Sequence, residues 1–240
     1  MEFFPISTQL RIAFHALSLE AAPVRAPGWQ VLEPGSALRE EDLGGPSLLR
    51  FPTGVGEKQA LRRLASLPDW SFEAALLGGF AGALDRTLEP GTVVVADPII
   101  DSAGGVYEVP LASEIERDAQ RVGLTVRRGP LVSVDRVVGD PASKRALAEE
   151  TGACAVDMES VALAGFLANR GIPFGVGRIV LDRAGEALPP TASVASALGQ
   201  LVRREGWQRL VGFLRVGMRV PRCARAGSRL IESWLRGAAS

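Results

Sequence analysis

Apolar residues fall along the chain in short runs separated by glycine, proline and charged positions. The runs LRIAFHAL (10–17), SLLRF (47–51), AALLGGF (74–80), TVVVADPII (92–100), LTVRR (124–128), LVSVD (131–135) and FGVGRIVL (174–181) are of strand length. Most lack a polar alternation, the mark of strands covered on both faces. Between them, mixed apolar and polar patterns predict helices at 56–67, 110–122, 141–151 and 157–170. Strands alternating with helices predict an α/β domain around a largely buried sheet. Neither an internal repeat nor a low-complexity linker interrupts the pattern.

The predicted helix at 157–170 is the most informative. It begins AVDMESVALAG and ends LANRGIP, with Gly171 available for a left-handed cap and Pro173 just beyond. Its body carries apolar residues on every face, as expected of a buried helix. Two carboxylates, Asp157 and Glu159, flank Met158 at its mouth. Asp157 can cap free N–H groups and gain about 0.3–1 kcal/mol from the helix dipole. Glu159 lacks that reason, because a second desolvated acid is costly unless something donates hydrogen bonds to it. A sugar diol would do so. The following strand ends in Asp182, at the carboxyl end of a strand where ligands collect in open α/β sheets; the same position also suits an Asp that opens a turn. FPTGVGEKQA and LLGGFAGAL place glycines at strand junctions, where backbone amides can approach an anion or a sugar. Neither is a P-loop or a dinucleotide fingerprint.

Composition narrows the chemistry. The chain has 240 residues, 47% of them hydrophobic and 22% charged, enough for one domain with a proper core. Its two cysteines, Cys154 and Cys223, lie far apart, and His15 is the only histidine. Disulfide frameworks, metal sites and histidine triads are therefore poorly supplied, and catalysis, if present, falls to carboxylates. No run approaches a membrane span and the N-terminus lacks a signal-peptide pattern, which predicts a cytoplasmic protein. The net charge of zero conceals an asymmetry: residues 203–240 carry nine arginines against Glu205 and Glu232, while the body is acidic. In 203–236 the arginines alternate with Trp207, Leu210, Phe213, Leu214, Met218, Leu230, Ile231, Trp234 and Leu235. When helical, that composition suits either an anionic membrane surface or packing against another subunit. We therefore divide the chain into a domain at 1–200 and an Arg-rich amphipathic extension at 201–240. The acidic body speaks against a nucleic-acid partner.

The stretch ACAVDMESVALAGFLANRGIPFGVGRIVLD resembles the late motif pair of the purine nucleoside phosphorylase and methylthioadenosine nucleosidase superfamily. There a V-E/D-M-E-S/A helix start precedes a strand ending in R-x-x-S-D. TGVGEKQA is similar to the G-x-G-K loop of that superfamily, LLGGFAGALDRTLEPGTVVVAD to its G-x-A-G-G-L…G-D-V-V-V segment, and LVSVDRVV to its S-x-D-x-F/V-V strand. The likeness runs in order from about residue 10 to 190. Within the superfamily, TGACAVDMES, GIPF and ALPP most resemble the hopanoid-associated nucleoside phosphorylases.

The resemblance implies a nucleoside phosphorylase-like fold with a mixed central sheet flanked by helices. It implies cleavage of the N-glycosidic bond of a 5′-substituted adenosine, adenosylhopane above all. The alternatives are a methylthioadenosine, S-adenosylhomocysteine or futalosine nucleosidase, or an inactive nucleoside-binding module. Asp182 would be the general acid at purine N7, Glu159 would hold the ribose 2′- and 3′-hydroxyls, and Met158 would pack on the sugar. Glu20, in FHALSLEAAPVR, would orient the nucleophile. Phe80, Val137, Gly79 and Ala81 would line the substrate pocket, with phosphate, a possible co-substrate, near Gly54, Gly56 and Arg25; no other cofactor and no metal are implied. Three departures set this pocket apart from a methylthioadenosine site: Leu181 stands where Ser is usual, Phe80 where many relatives have Ser or Thr, and Arg136-Val137 where an aromatic often stacks on the base. Members of the superfamily assemble as homo-oligomers, which is the expectation here. The tail adds the possibility of contact with the inner membrane face.

Overall fold

The computed structural model describes residues 10–15, 29–32, 47–188 and 206–237. Among these residues, nine strands form one mixed sheet: β1 (Leu10–His15), β2 (Trp29–Val31), β3 (Ser47–Pro52), β4 (Ala74–Ala83), β5 (Val93–Ile100), β6 (Val106–Tyr107), β7 (Val126–Ser133), β8 (Ala155–Asp157) and β9 (Phe174–Asp182). The helices are α1 (Glu57–Leu64), α2 (Ala112–Arg121), α3 (Pro141–Thr151), α4 (Ser160–Asn169) and α5 (Gly206–Gly237). The α/β class with a mixed central sheet is as expected from the sequence.

Strands β2, β3, β1 and β4 run parallel to their neighbours as an open wing. Beyond it the sheet curls on itself. β4 pairs with β9, β9 with β5, β5 with β7, β7 with β8, and β8 back with β4. This ring of five strands forms a small barrel whose interior is filled by side chains. Its strands are the near-continuous apolar runs of the sequence, and Leu76, Leu77, Val93, Val94, Val95, Leu131 and Val176 are fully buried. A register shift between Ala81 and Gly82 leaves Leu181 as the extra residue of β9, so that Asp182 comes opposite Gly82. Bulges of this kind re-aim side chains at barrel rims.

Local signals explain most boundaries. Asp140 caps α3 through the Ser143 amide at 2.8 Å, Pro141 occupies its first turn, and Gly152 ends it at φ 68°. The runs LTVRR and LVSVD, read as two strands, are one: β7 continues through Gly129-Pro130, whose Pro130 carbonyl accepts the Cys154 amide at 2.8 Å. The helix expected from residue 157 begins at Ser160, because Asp157 is still in the ladder opposite Ser133 and its carbonyl accepts the Val134 amide at 2.9 Å. Nor is α4 buried on every face, since Ala168 and Asn169 are exposed.

The tail needs the larger correction. From Cys223 onward α5 is part of the core: Cys223, Leu230, Ile231, Trp234 and Leu235 are buried against β9, β4 and α2. The Arg11 guanidinium lies 5.1 Å from the Trp234 ring centre, and Arg121 donates to the Ser233 carbonyl at 2.8 Å. Four apolar residues assigned from composition to a membrane or subunit face therefore cover the sheet instead. Met218, Arg222, Arg225 and Arg229 stay on the outer face. Among the described residues, no helix is long and apolar enough to cross a membrane.

Candidate active site

The ends of β4, β8 and β9 and the loop after β3 converge on one cavity of about 350 Å³. Val55, Phe80, Ala81, Gly82, Val137, Val138, Val156, Leu181 and Leu188 make its wall mostly apolar, while Asp157, Glu159 and Asp182 bring three carboxylates to it. All three acids are buried, each at 5% exposure or less. Buried charges need partners, and each acid has a different one.

Asp157 pairs with Arg178. The guanidinium reaches Asp157 Oδ2 at 2.7 Å, donates to the Gly78 carbonyl at 2.7 Å and to Ser160 Oγ at 3.0 and 3.2 Å, and Ser160 Oγ donates to Asp157 Oδ2 at 2.5 Å. The carboxyl also accepts the Ser160 amide at 3.3 Å, so part of its capping role stands. Its main task is to neutralise an arginine that is 1% exposed in the middle of β9. An arginine inside an apolar strand was the sequence signal for this network.

Glu159 lies one helical step further, at the N-cap position of α4, and its side chain makes no cap bond. Instead Oε1 accepts the Gly56 amide at 2.6 Å, and Oε2 is 3.9 Å from Arg178. The glycine loop thus orients the carboxylate, which retains accepting capacity toward the cavity. Gly56 adopts φ 85°, a backbone conformation that strains other residues, so glycine lets this amide reach the acid.

Asp182 is paired with Lys144 of α3, which the sequence did not single out. Lys144 is 1% exposed, donates to Asp182 Oδ2, and also donates to the Arg183 carbonyl at 2.8 Å. Burial pushes the Asp182 carboxyl above its usual range, and the Lys144 ammonium partly opposes this. Just beyond, Glu186 accepts from Arg219 of α5 at 2.6 and 2.8 Å and from the Arg183 amide at 3.0 Å. The Arg219 hydrogen bonds hold Glu186 down to about 2. The turn after the acid is thereby fastened to the long helix.

Of the other residues expected at the site, Met158, Phe80, Ala81 and Val137 line the cavity. Gly79 does not: it lies in β4 opposite Arg178, at φ 135°. Gly54 is also outside the wall, and the amides on either side of it have other partners. Thr53 donates from its own amide to His15, Val55 donates to Gln59 at 3.1 Å, and Gly56 donates to Glu159. The loop expected to cradle phosphate therefore holds its own side chains. Glu20 and Arg25 lie outside the described residues.

Residues 53–204 match the family model described as the phosphorylase superfamily. A search of curated proteins found no match. Among solved structures, the chain is similar to 5′-methylthioadenosine/S-adenosylhomocysteine nucleosidase from Helicobacter pylori with butyl-thio-DADMe-Immucillin-A, at a TM-score of 0.72 and 15% identity over 98% of this chain and 100% of that one. Futalosine hydrolase of Helicobacter pylori gives a TM-score of 0.70 at 16% identity, over 96% and 98% of the two chains. The Neisseria meningitidis methylthioadenosine/S-adenosylhomocysteine nucleosidase in complex with methylthio-immucillin-A gives 0.70 at 16%, over 95% and 99%. At these identities the likeness is one of fold, and it extends through α5. With the family model spanning more than half of its length, the chain belongs to the phosphorylase superfamily.

Proposed function

We propose that the protein releases adenine from a 5′-substituted adenosine by cleaving its N-glycosidic bond. The observation that carries this reading is the meeting of Asp182 and Glu159 on one small, mostly apolar cavity, each held there by a dedicated partner. Breaking the bond builds positive charge on the ribose and negative charge on the base, so an enzyme must hold the sugar and protonate the purine. Asp182, whose carboxyl burial pushes above its usual range, delivers a proton to N7. Glu159 accepts from the ribose hydroxyls and stabilises the cationic sugar as it forms. Phe80 and Val137 pack against the nucleoside, and Met158 against its sugar.

The 5′-substituent is assigned to an apolar group, with adenosylhopane as the substrate. Support comes from the likeness of TGACAVDMES, GIPF and ALPP to the hopanoid-associated enzymes, and from Leu181 and Leu188 in the wall. The outward arginines 222, 225 and 229 offer a surface for anionic lipid at the inner membrane face. The protein works as a homo-oligomer, without metal. Engagement of the Val55 and Gly56 amides by side chains favours water over phosphate as nucleophile, with Glu20 orienting it.

Adenine release followed by chromatography, from adenosylhopane in detergent and from methylthioadenosine, each with and without phosphate, tests the assignment. Release from the hopanoid alone supports the lipid substrate, and independence of phosphate supports hydrolysis. Release only from methylthioadenosine or futalosine moves the enzyme to the activities named for its structural neighbours.

A further inference from the structure

We propose that Lys144 is a positioning residue for the acid: it fixes the Asp182 carboxyl in the cavity wall and neutralises the charge left there when the proton departs for the base. This inference rests on the functional reading above. Its starting point is the placement of Lys144 itself. α3 is otherwise a polar surface helix, with Ser143, Arg145 and Ala146 exposed on either side, yet Lys144 is 1% exposed. An ammonium so far from water is costly unless fully paired, and an apolar side chain would fill the same space. What the lysine adds is two directed bonds, one to Asp182 Oδ2 and one, of 2.8 Å, to the carbonyl of the next residue, Arg183. Together they set both the side chain and the turn that carries it.

The proton balance follows from that geometry. With Oδ2 occupied by Lys144, the transferable proton sits on Oδ1. The Oδ1–H bond breaks as N7–H forms, the electron pair of the C1′–N9 bond passes to the purine, and a water oxygen bonds to C1′ while shedding a proton to solvent. Asp182 is then a carboxylate beside an ammonium that has kept all its protons, and water reprotonates the acid after adenine leaves. The remaining charged groups facing Asp182 are Glu186 on the turn and Arg219 on α5. They oppose one another in direct contact, which leaves Lys144 as the principal counter-charge.

The test compares wild type, Lys144→Met and Lys144→Arg in two readouts. The first is an NMR titration of carboxyl-labelled aspartate, with the Asp182 signal identified by its loss in Asp182→Asn. The second is kcat and KM for adenine release across pH. In Lys144→Met the Asp182 midpoint should rise by about one pH unit or more, the basic limb of kcat/KM should rise with it, and kcat should fall about 10²-fold with little change in KM. Lys144→Arg should restore the wild-type midpoint. An unchanged midpoint and pH profile in Lys144→Met, with only a lower Tm, would overturn the proposal. Should Lys144→Met not fold, a Lys144→Arg protein whose Asp182 midpoint has moved while its kcat and pH profile match wild type would also overturn it, since catalysis would then not depend on the cation's hold on the acid. A wild type that releases no adenine while Asp182 still tracks Lys144 would refute the functional reading instead.

Discussion

Asp157, Glu159 and Asp182 share residue type and burial but differ in their partners, and the partners divide their tasks. Asp157 balances Arg178 inside the barrel. Asp157→Asn should therefore destabilise the protein by about 3–5 kcal/mol in chemical denaturation, because it leaves a buried guanidinium uncompensated. Glu159 accepts the Gly56 amide, lies 3.9 Å from Arg178 and lines the cavity. Glu159→Gln should reduce turnover of ribosides much more than that of 2′,3′-dideoxy analogues; equal losses would mean that the carboxylate does not hold the diol. Burial raises the Asp182 pKa, so activity that needs the protonated acid falls as pH rises through that raised value, on the basic side of the profile. The sequence showed both site acids, one as an unexplained second carboxylate and one as the end of an apolar strand. It gave only part of the role of Asp157, the capping bond from Ser160, because a cap at a helix mouth and a partner for a distant arginine look alike in one dimension. Nothing in PASKRALAEET marks Lys144, whose burial depends on how α3 lies across the end of β9.

Elements were legible wherever a long pattern agreed with its caps. α3 has the predicted bounds, and α1, α2 and the long strands agree to within a few residues. β2, β6 and β8 have two or three residues each, too few to carry a periodicity, and only their ladders define them. Glycines in β9 reveal how closely its helices sit. A Cβ at Gly175 would fall 2.2 Å from Ile115 Cγ1, and one at Gly177 2.4 Å from Leu230 Cδ2. Gly175→Ala should cost about 1–3 kcal/mol in thermal or denaturant unfolding as α2 is pushed off the strand. Trp234→Ala, which empties a fully buried site on α5, should cost about 3–5 kcal/mol. An unaffected Tm in the second variant would show that α5 is an appendage after all. Glu186, held at about 2 by Arg219, contributes stability that is complete above the normal glutamate range near 4.5 and lost as pH falls toward 2. Glu186→Gln should accordingly flatten the acid side of the stability profile, leaving the neutral side nearly parallel to wild type.

Closure of β4, β9, β5, β7 and β8 into a ring gathers the acids from separate parts of the chain onto one rim. That closure depends on pairings between strands distant in sequence and on a bulge at Leu181, neither of which leaves a trace in hydrophobic periodicity. The ordered motifs pointed to it only through likeness to a known fold. Composition in turn misled about the tail: arginines interleaved with aromatics describe a helix whose inner face is core and whose outer face is basic, as fully as they describe a membrane surface. The central claim is that this rim cleaves a purine N-glycosidic bond by acid catalysis at Asp182. Its most direct test is adenine release from 5′-substituted adenosines by wild type and by Asp182→Asn, with nucleoside binding to both measured by calorimetry. Release by wild type, a fall of about 10²–10⁴-fold in the variant and similar binding to both are the predicted result; equal release by the two proteins, or none by wild type from any of these substrates, would contradict it.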